Sequence, residues 1–188
     1  IAPKGVYMNW KNSEIPTHLP DDISKNVYVW KASANKTEKA ILEEGVKTRD
    51  KLRILLVNVE AFATAKVIKY LEAFIHRSNF MLAVDESTTI KNIKAKRTKA
   101  ILKLGQSAKY KRILTGSPIT QSPMDLYSQC YFLDKDLLGF DSYWSFQGRY
   151  AVIRQTRIGN HSFQQIVGFR NLEELTDKLH RFAYRVTK

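Results

Sequence analysis

One cysteine, Cys130, occurs in 188 residues, so no internal disulfide can form and a reducing setting fits. It lies in Tyr127-Ser128-Gln129-Cys130-Tyr131-Phe132, where a small buried residue is expected rather than a nucleophile. No apolar run approaches the ~20 residues that span a bilayer, and no signal peptide is visible. The four histidines, His18, His76, His161 and His180, are scattered, and with a single cysteine they form no zinc-binding spacing. Repeats and low-complexity linkers are absent. So is an initiating methionine: the sequence begins Ile1-Ala2-Pro3, which reads like the end of a strand, and a piece of a longer protein is expected.

Acidic residues are the other scarcity. There are 18 Asp+Glu against 31 Lys+Arg, a net charge of +13. A surface this basic attracts polyanions, with nucleic acid the default partner and a plain solubility charge the alternative; the intracellular setting that the lone cysteine fits would be cytoplasmic if the source is bacterial or viral. Hydrophobic residues at 44% and aromatics at 11% suit one globular domain with a proper core rather than disorder.

Short apolar runs alternate with amphipathic segments. Val27–Trp30, Ile54–Val59, Phe80–Val84 and Arg112–Leu114 read as buried strands, the pattern of a parallel sheet covered on both faces. Helices are expected over Thr37–Val46 with Ile41 and Leu42 inward, Ala65–His76, Ile93–Leu104, Pro123–Leu133 with Ser122 as cap, and from a capped start at Asn171 to about Arg181. Such alternation means an α/β fold with right-handed crossovers. The stretch 139–168, with Trp144, Phe146, Tyr150 and Phe163 among Arg149, Arg154 and Arg157, fits neither period and receives no assignment.

In open α/β sheets function collects at the carboxyl ends of the strands, and both distinctive motifs fall there. Asp85-Glu86 follows Met81-Leu82-Ala83-Val84. Thr115-Gly116-Ser117-Pro118 follows Arg112-Ile113-Leu114, 30 positions after Asp85. Two carboxylates leaving a buried strand suit a metal and an activated water, although a solvated strand-to-loop junction has the same composition. Gly, Ser and Pro likewise describe an ordinary turn. From Lys91 to Arg112 nine basic residues occur with no acid between them. Lys96, Lys99 and Lys103 share one helix face, available either to phosphates or to solvent.

Val84-Asp85-Glu86-Ser87-Thr88-Thr89-Ile90-Lys91-Asn92 resembles motif II of the Swi/Snf branch of superfamily-two (DEAD/DEAH-like) helicases. Ile113 to Ser128, with Thr115-Gly116-Ser117-Pro118 and Asp125-Leu126-Tyr127-Ser128, resembles their motif III. Ala2-Pro3-Lys4…Asn9-Trp10 is similar to motif Ia, Leu56 to Phe62 to the segment after it, and Tyr184-Arg185-Val186-Thr187-Lys188 to the end of the first lobe. The chain departs from the pattern at Ser87-Thr88 (usually Ala-His), at Ser117 (Thr) and at Gln121 (Asn), and nothing in it reads Gly-x-Gly-Lys-Thr/Ser.

The resemblance implies a RecA-like first motor lobe over 1–188, truncated at its N-terminus. It implies ATP and Mg²⁺ as cofactors, DNA and a second lobe of the same protein as partners, and no membrane. Asp85 would hold Mg²⁺ through water, Glu86 would activate water, and Thr115, Gly116 and Ser117 would couple nucleotide state to DNA grip. Lys4, Asn58, Lys91, Lys96, Lys99 and Lys103 would meet the DNA backbone. Without the phosphate loop the 188 residues alone should hydrolyse ATP negligibly. Without its strand, the sheet should either compensate or leave an edge open. Trp10 and Trp30 are expected in packing, while Trp144 stays open between packing and base stacking. Two rival readings remain: a non-catalytic basic nucleic-acid-binding module, and a metal-dependent nuclease, which lacks a convincingly spaced third ligand.

Overall fold

The structure, a computed structural model, describes residues 1–158 and 161–186. The expected Thr187 and Lys188 of the lobe end, and residues 159–160 of the unassigned stretch, lie outside them. The elements in order are α1 (Tyr7–Asn9), a π-helical turn (Trp10–Glu14), α2 (Ile15–His18), β1 (Lys25–Val29), α3 (Lys36–Lys47), β2 (Leu52–Leu56), α4 (Ala65–Ile75), β3 (Met81–Asp85), α5 (Lys96–Gln106), β4 (Tyr110–Leu114), α6 (Leu126–Leu133), α7 (Tyr143–Tyr150), β5 (Ala151–Ile158), β6 (His161–Phe169) and α8 (Leu172–His180).

β1 pairs with β2 and β3 with β4, both parallel. The two pairs are joined through the first residues of the chain. Ala2 N–H donates to the Val57 carbonyl at 3.1 Å and the Ala2 carbonyl accepts from Val59 at 3.0 Å, while the Ile1 carbonyl accepts from Asp85 at 2.8 Å. The hydrogen-bonded order is therefore β1, β2, residues 1–2, β3, β4. Among the described residues β4 has no partner on its far side, with Tyr110 and Leu114 exposed. An open edge is one of the two outcomes expected of this sheet, and the position between β2 and β3 is filled by only two residues.

The core follows the apolar runs. Val57, Val59, Phe62, Val67, Leu71, Leu82, Val84, Ile90, Ile101, Leu102 and Phe132 bury together around the central strands. A smaller cluster of Tyr28, Leu42 and Phe74 fixes α3 and α4 beside β1. Here the expected inner face of α3 needs correction. Leu42 is 5% exposed but Ile41 is 45% exposed, because the helix seats on Leu42 and Gly45, whose bare Cα lets the Tyr28 ring lie against it. A capping box between Asn35 and Glu38 starts that helix.

Boundaries shift where side chains bond the backbone. The run at Ile54–Val59 stops being strand at Leu56, since Asn58 Oδ1 accepts from Ala61 N–H at 2.9 Å and opens a 3₁₀ turn over Val59–Ala63. The helix expected from Ile93 starts at Lys96, after Asn92 Oδ1 takes the Lys94 N–H at 2.9 Å in a turn. Asn171 caps α8 in position but not in chemistry: its φ is 55°, it makes no capping bond, and its Nδ2 instead donates to the Arg149 carbonyl at 2.9 Å. Ser122 does cap, accepting from Met124 at 3.3 Å ahead of α6.

The unassigned stretch is a helix followed by an antiparallel pair, β5 with β6. It is rooted in a second core of Met124, Leu126, Tyr127, Leu138, Phe146, Tyr150, Ala151 and Leu175. Ring contacts of Phe146 with Phe140 (5.6 Å), Tyr127 (5.4 Å) and Tyr150 (4.9 Å) fill its centre.

The two neighbours on α3 separate cleanly by experiment. Leu42→Ala should cost about 2–5 kcal/mol in urea unfolding, and Ile41→Ala no more than about 0.5 kcal/mol. Equal losses would contradict the seating of this helix.

Candidate nucleotide and nucleic-acid site

The parallel register sets the site. Asp85 lies opposite Leu114, so the chain leaves β3 at Glu86 directly beside where it leaves β4 at Thr115. Asp85-Glu86 and Thr115-Gly116-Ser117 thus sit on adjacent strand ends at one edge of the sheet. The Ala2 to Asn58 bridge lies at the same edge, bringing Lys4, exposed, and Asn58 to it.

Asp85 is half-buried and accepts one hydrogen bond on each oxygen. Trp10 Nε1 donates to Oδ2 at 2.7 Å, and the Glu86 N–H donates to Oδ1 at 3.0 Å. Trp10 was expected only to pack. It stands at the head of the π-helical turn, where the Ile15 N–H reaches back five residues to the Trp10 carbonyl. Pro16 follows and has no N–H to give. A π-turn inside a helical segment often marks a functional position, and the Trp-x-x-x-x-x-Pro spacing is its trace in the sequence. Glu86 adopts a left-handed backbone, φ 49°, costing about 1–2 kcal/mol for a residue with a Cβ. The twist leaves Glu86 exposed while turning Ser87 fully inward.

Ser87 then anchors the two loops to one another. Its hydroxyl donates to Gln129 Oε1 at 2.6 Å, and Gln129 Nε2 donates to the carbonyls of Pro118 (2.7 Å) and Asp125 (2.8 Å). Beside it, Ser128 Oγ donates to the Ile90 carbonyl at 2.6 Å. All three side chains are buried. The departure from Ala at position 87 is therefore a hydrogen-bond donor with a matching acceptor on α6. Gln129 escaped the sequence reading because a polar residue in an apolar helix carries no sign of its partner.

Asp125 organises the second loop. Its Oδ2 accepts from Thr120 N–H (3.0 Å), Thr120 Oγ1 (2.9 Å) and Gln121 N–H (2.9 Å), with the Lys91 ammonium 3.6 Å away. Burial would raise its carboxyl, but the bonds from Gln121 and Thr120 and the charge of Lys91 outweigh it and hold the group below the usual carboxylate range. Lys91 also donates to Thr120 Oγ1, so its ammonium faces this loop. Thr115 Oγ1 accepts from Ser117 N–H at 3.2 Å and Ser117 Oγ donates to the Ile119 carbonyl at 2.9 Å, while Gly116 and Ser117 are exposed. Lys96, Lys99 and Lys103 are exposed along α5, opposite buried Thr98, Ile101, Leu102 and Gly105.

The remaining residues fall as their types suggest. Cys130 is buried, its thiol pushed up to about 12 by that burial. Trp30 packs on Tyr70 at 5.0 Å. Trp144 is 61% exposed with the Lys94 ammonium 5.0 Å from its ring centre. Among the described residues no three His, Cys, Asp or Glu side chains gather as metal ligands, and no helix is long and apolar enough to cross a membrane.

The SNF2-related domain family matches this chain over residues 1–185. The fruit fly SWI/SNF-related matrix-associated actin-dependent regulator of chromatin subfamily A-like protein 1 is 35% identical over 105 residues, 55% of this chain and 13% of that protein. The mouse chromodomain-helicase-DNA-binding protein 1-like is 28% identical over 155 residues, 82% of this chain and 16% of that protein. The solved Sulfolobus solfataricus SWI2/SNF2 ATPase core in complex with dsDNA superposes with a TM-score of 0.54 at 26% identity, over 79% of this chain and 27% of that one. The chain thus spans a small part of the length of its curated relatives. With both motifs in order, on adjacent strands of a RecA-like parallel sheet, the chain belongs to the SNF2-related domain family.

Proposed function

We propose that this chain is the first motor lobe of an ATP-dependent DNA translocase or helicase, and that a second lobe of the same protein completes it. The observation that carries the reading is the register of Asp85 opposite Leu114. It joins the carboxylate-bearing loop and the Thr-Gly-Ser loop at one sheet edge, in a chain matched by the family over residues 1–185.

In this reading ATP and Mg²⁺ are the cofactors, and Mg²⁺ when bound would supply charge neutralisation at the phosphates. Asp85 would hold the ion through water. One hydrogen bond on each carboxylate oxygen leaves lone pairs free for that, and the Trp10 indole fixes the carboxylate's orientation. Glu86, exposed on its left-handed turn, orients and deprotonates the attacking water. Thr115, Gly116 and Ser117 respond to the phosphate end of the nucleotide. Any shift there is felt at Glu86 through Pro118, Gln129 and Ser87, since a buried polar chain cannot break without leaving unpaired groups. Lys4, Asn58, Lys96, Lys99 and Lys103 meet DNA phosphates, a grip indifferent to base sequence. Lys91 contributes first by holding the Thr120 loop and only secondarily by its charge. Nucleotide-driven closing and opening of two lobes would then alternate these contacts. With no Gly-x-Gly-Lys-Thr/Ser sequence in it, the chain by itself should not turn over ATP.

The test is ATP hydrolysis by the intact motor with and without duplex DNA. Glu86→Gln should lower the DNA-stimulated rate by at least about 10²-fold while nucleotide binding persists. A variant within a few-fold of the parent rate would leave a basic nucleic-acid-binding module as the better reading. Gln129→Leu keeps side-chain bulk but removes both donors. It should cost about 1–3 kcal/mol of stability and reduce the ratio of DNA-stimulated to DNA-free hydrolysis several-fold. Lost stability with that ratio unchanged would demote Gln129 to a core residue.

A further inference from the structure

The antiparallel ribbon β5–β6 takes no part in the site above, yet it is built to project. Its root is held on three sides. The Arg170 N–H donates to the Tyr150 carbonyl at 2.9 Å and Arg170 Nη2 to the Gly148 carbonyl at 2.7 Å. Tyr150 OH donates to Glu174 at 2.9 Å, and Arg149 pairs with the same carboxylate. Ala151, Ile166 and Phe169 pack into the second core. Beyond that root, Arg154, Gln155, Arg157, Phe163, Gln164 and Gln165 are all exposed. A two-stranded ribbon is marginal alone; here the anchored root supplies what the ribbon lacks. The five residues from Arg154 to Ile158 reach about 16 Å at ~3.3 Å per residue.

Its chemistry is one-sided. No Asp or Glu occurs from Ser142 to Leu172, a span that holds Arg149, Arg154, Arg157 and Arg170. Strand pairing sets Arg154 opposite Gln165 and Thr156 opposite Phe163, so these four share one face. Gln155, Arg157, Ser162 and Gln164 share the other. Between Arg154 and Gln165 the described side chains are polar or basic except Phe163, while exposed Val152, Ile153 and Val167 stay at the root. One face therefore offers the Arg154 guanidinium and the Gln165 amide, and the other carries the amides of Gln155 and Gln164, rather than the apolar strip that a protein partner would need. The ribbon also continues an existing basic surface. Lys94 of the acid-free stretch lies over Trp144 at 5.0 Å, Trp144 is in the first turn of α7, and the last residue of α7 leads directly into β5.

We infer that the β5–β6 ribbon is a second DNA contact, a basic arm that lies against a groove of the duplex and extends the track from Lys94 past Trp144. A two-stranded ribbon fits a major groove about 12 Å wide. The inference rests on the motor reading for its choice of duplex DNA, but its test stands apart. Binding of the intact protein to a labelled duplex should be measured by anisotropy across a salt series, for the parent, Arg154→Ala with Phe163→Ala, and Arg154→Glu. The paired change is expected to weaken binding about tenfold and to lower the salt slope by about one, with a larger loss for Arg154→Glu. Affinity and slope unchanged in both variants would overturn the arm, even where hydrolysis is DNA-stimulated and the motor reading holds. Conversely, variants that weaken binding in a protein whose hydrolysis ignores DNA would keep the arm and remove the motor. Loss of self-association in the variants, seen by sedimentation without change in DNA affinity, would make the ribbon a protein interface and overturn the inference.

Discussion

Parallel pairing of β3 with β4, Asp85 opposite Leu114, is the constraint on which the rest depends. In a parallel pair both strands deliver their carboxyl ends to the same edge, so two loops far apart in sequence must emerge side by side. Backbone hydrogen bonds set that meeting, and side-chain bonds such as Lys91 to Thr120 then tie the two loops. The pair is buried on the side of Leu82 and Val84, and a slip of one residue would turn those side chains outward. The motifs are thus positioned by the same apolar burial that stabilises the sheet.

Polar groups then refine what burial sets roughly. Ser87, Ser128 and Gln129 are buried, which is costly unless each is paired, and each is. The arrangement makes the loops after β3 and β4 a single body, tied through α6. Asp125 and Lys91 add a charged tie at its rim. Trp10 reaches in from the helical segment after the first strand residues, so the orientation of Asp85 depends on a third element as well. An edge assembled from three separate segments is stiff locally, which suits the proposed coupling of these loops to nucleotide.

Much of this was legible in the sequence because it depends on periodicity and strand ends. The four strand runs, the α/β class and the two motif positions follow from apolar patterning alone, and the family from the residues at those positions. Other features depend on long-range partners. Ile41 and Leu42 look alike in a helical repeat, and only the Tyr28 ring against Gly45 decides which one is buried. Trp10 has an apolar body, so its N–H bond to Asp85 is invisible until the strands are placed. The ribbon hid behind interleaved arginines that break the expected alternation.

Sheet and ribbon divide the labour of the fold. Around the parallel strands the first core holds the motif-bearing edge, and the second core roots the basic ribbon, with Tyr127 and its neighbours on α6 between them. On the proposed function the loops after β3 and β4 respond to nucleotide as one. Amide hydrogen exchange in the intact motor, with and without Mg²⁺ and a non-hydrolysable ATP analogue, tests it most directly. Slowed exchange in both 86–91 and 115–122, together and to similar degree, is the predicted result. Protection of one loop with the other unchanged would contradict the account.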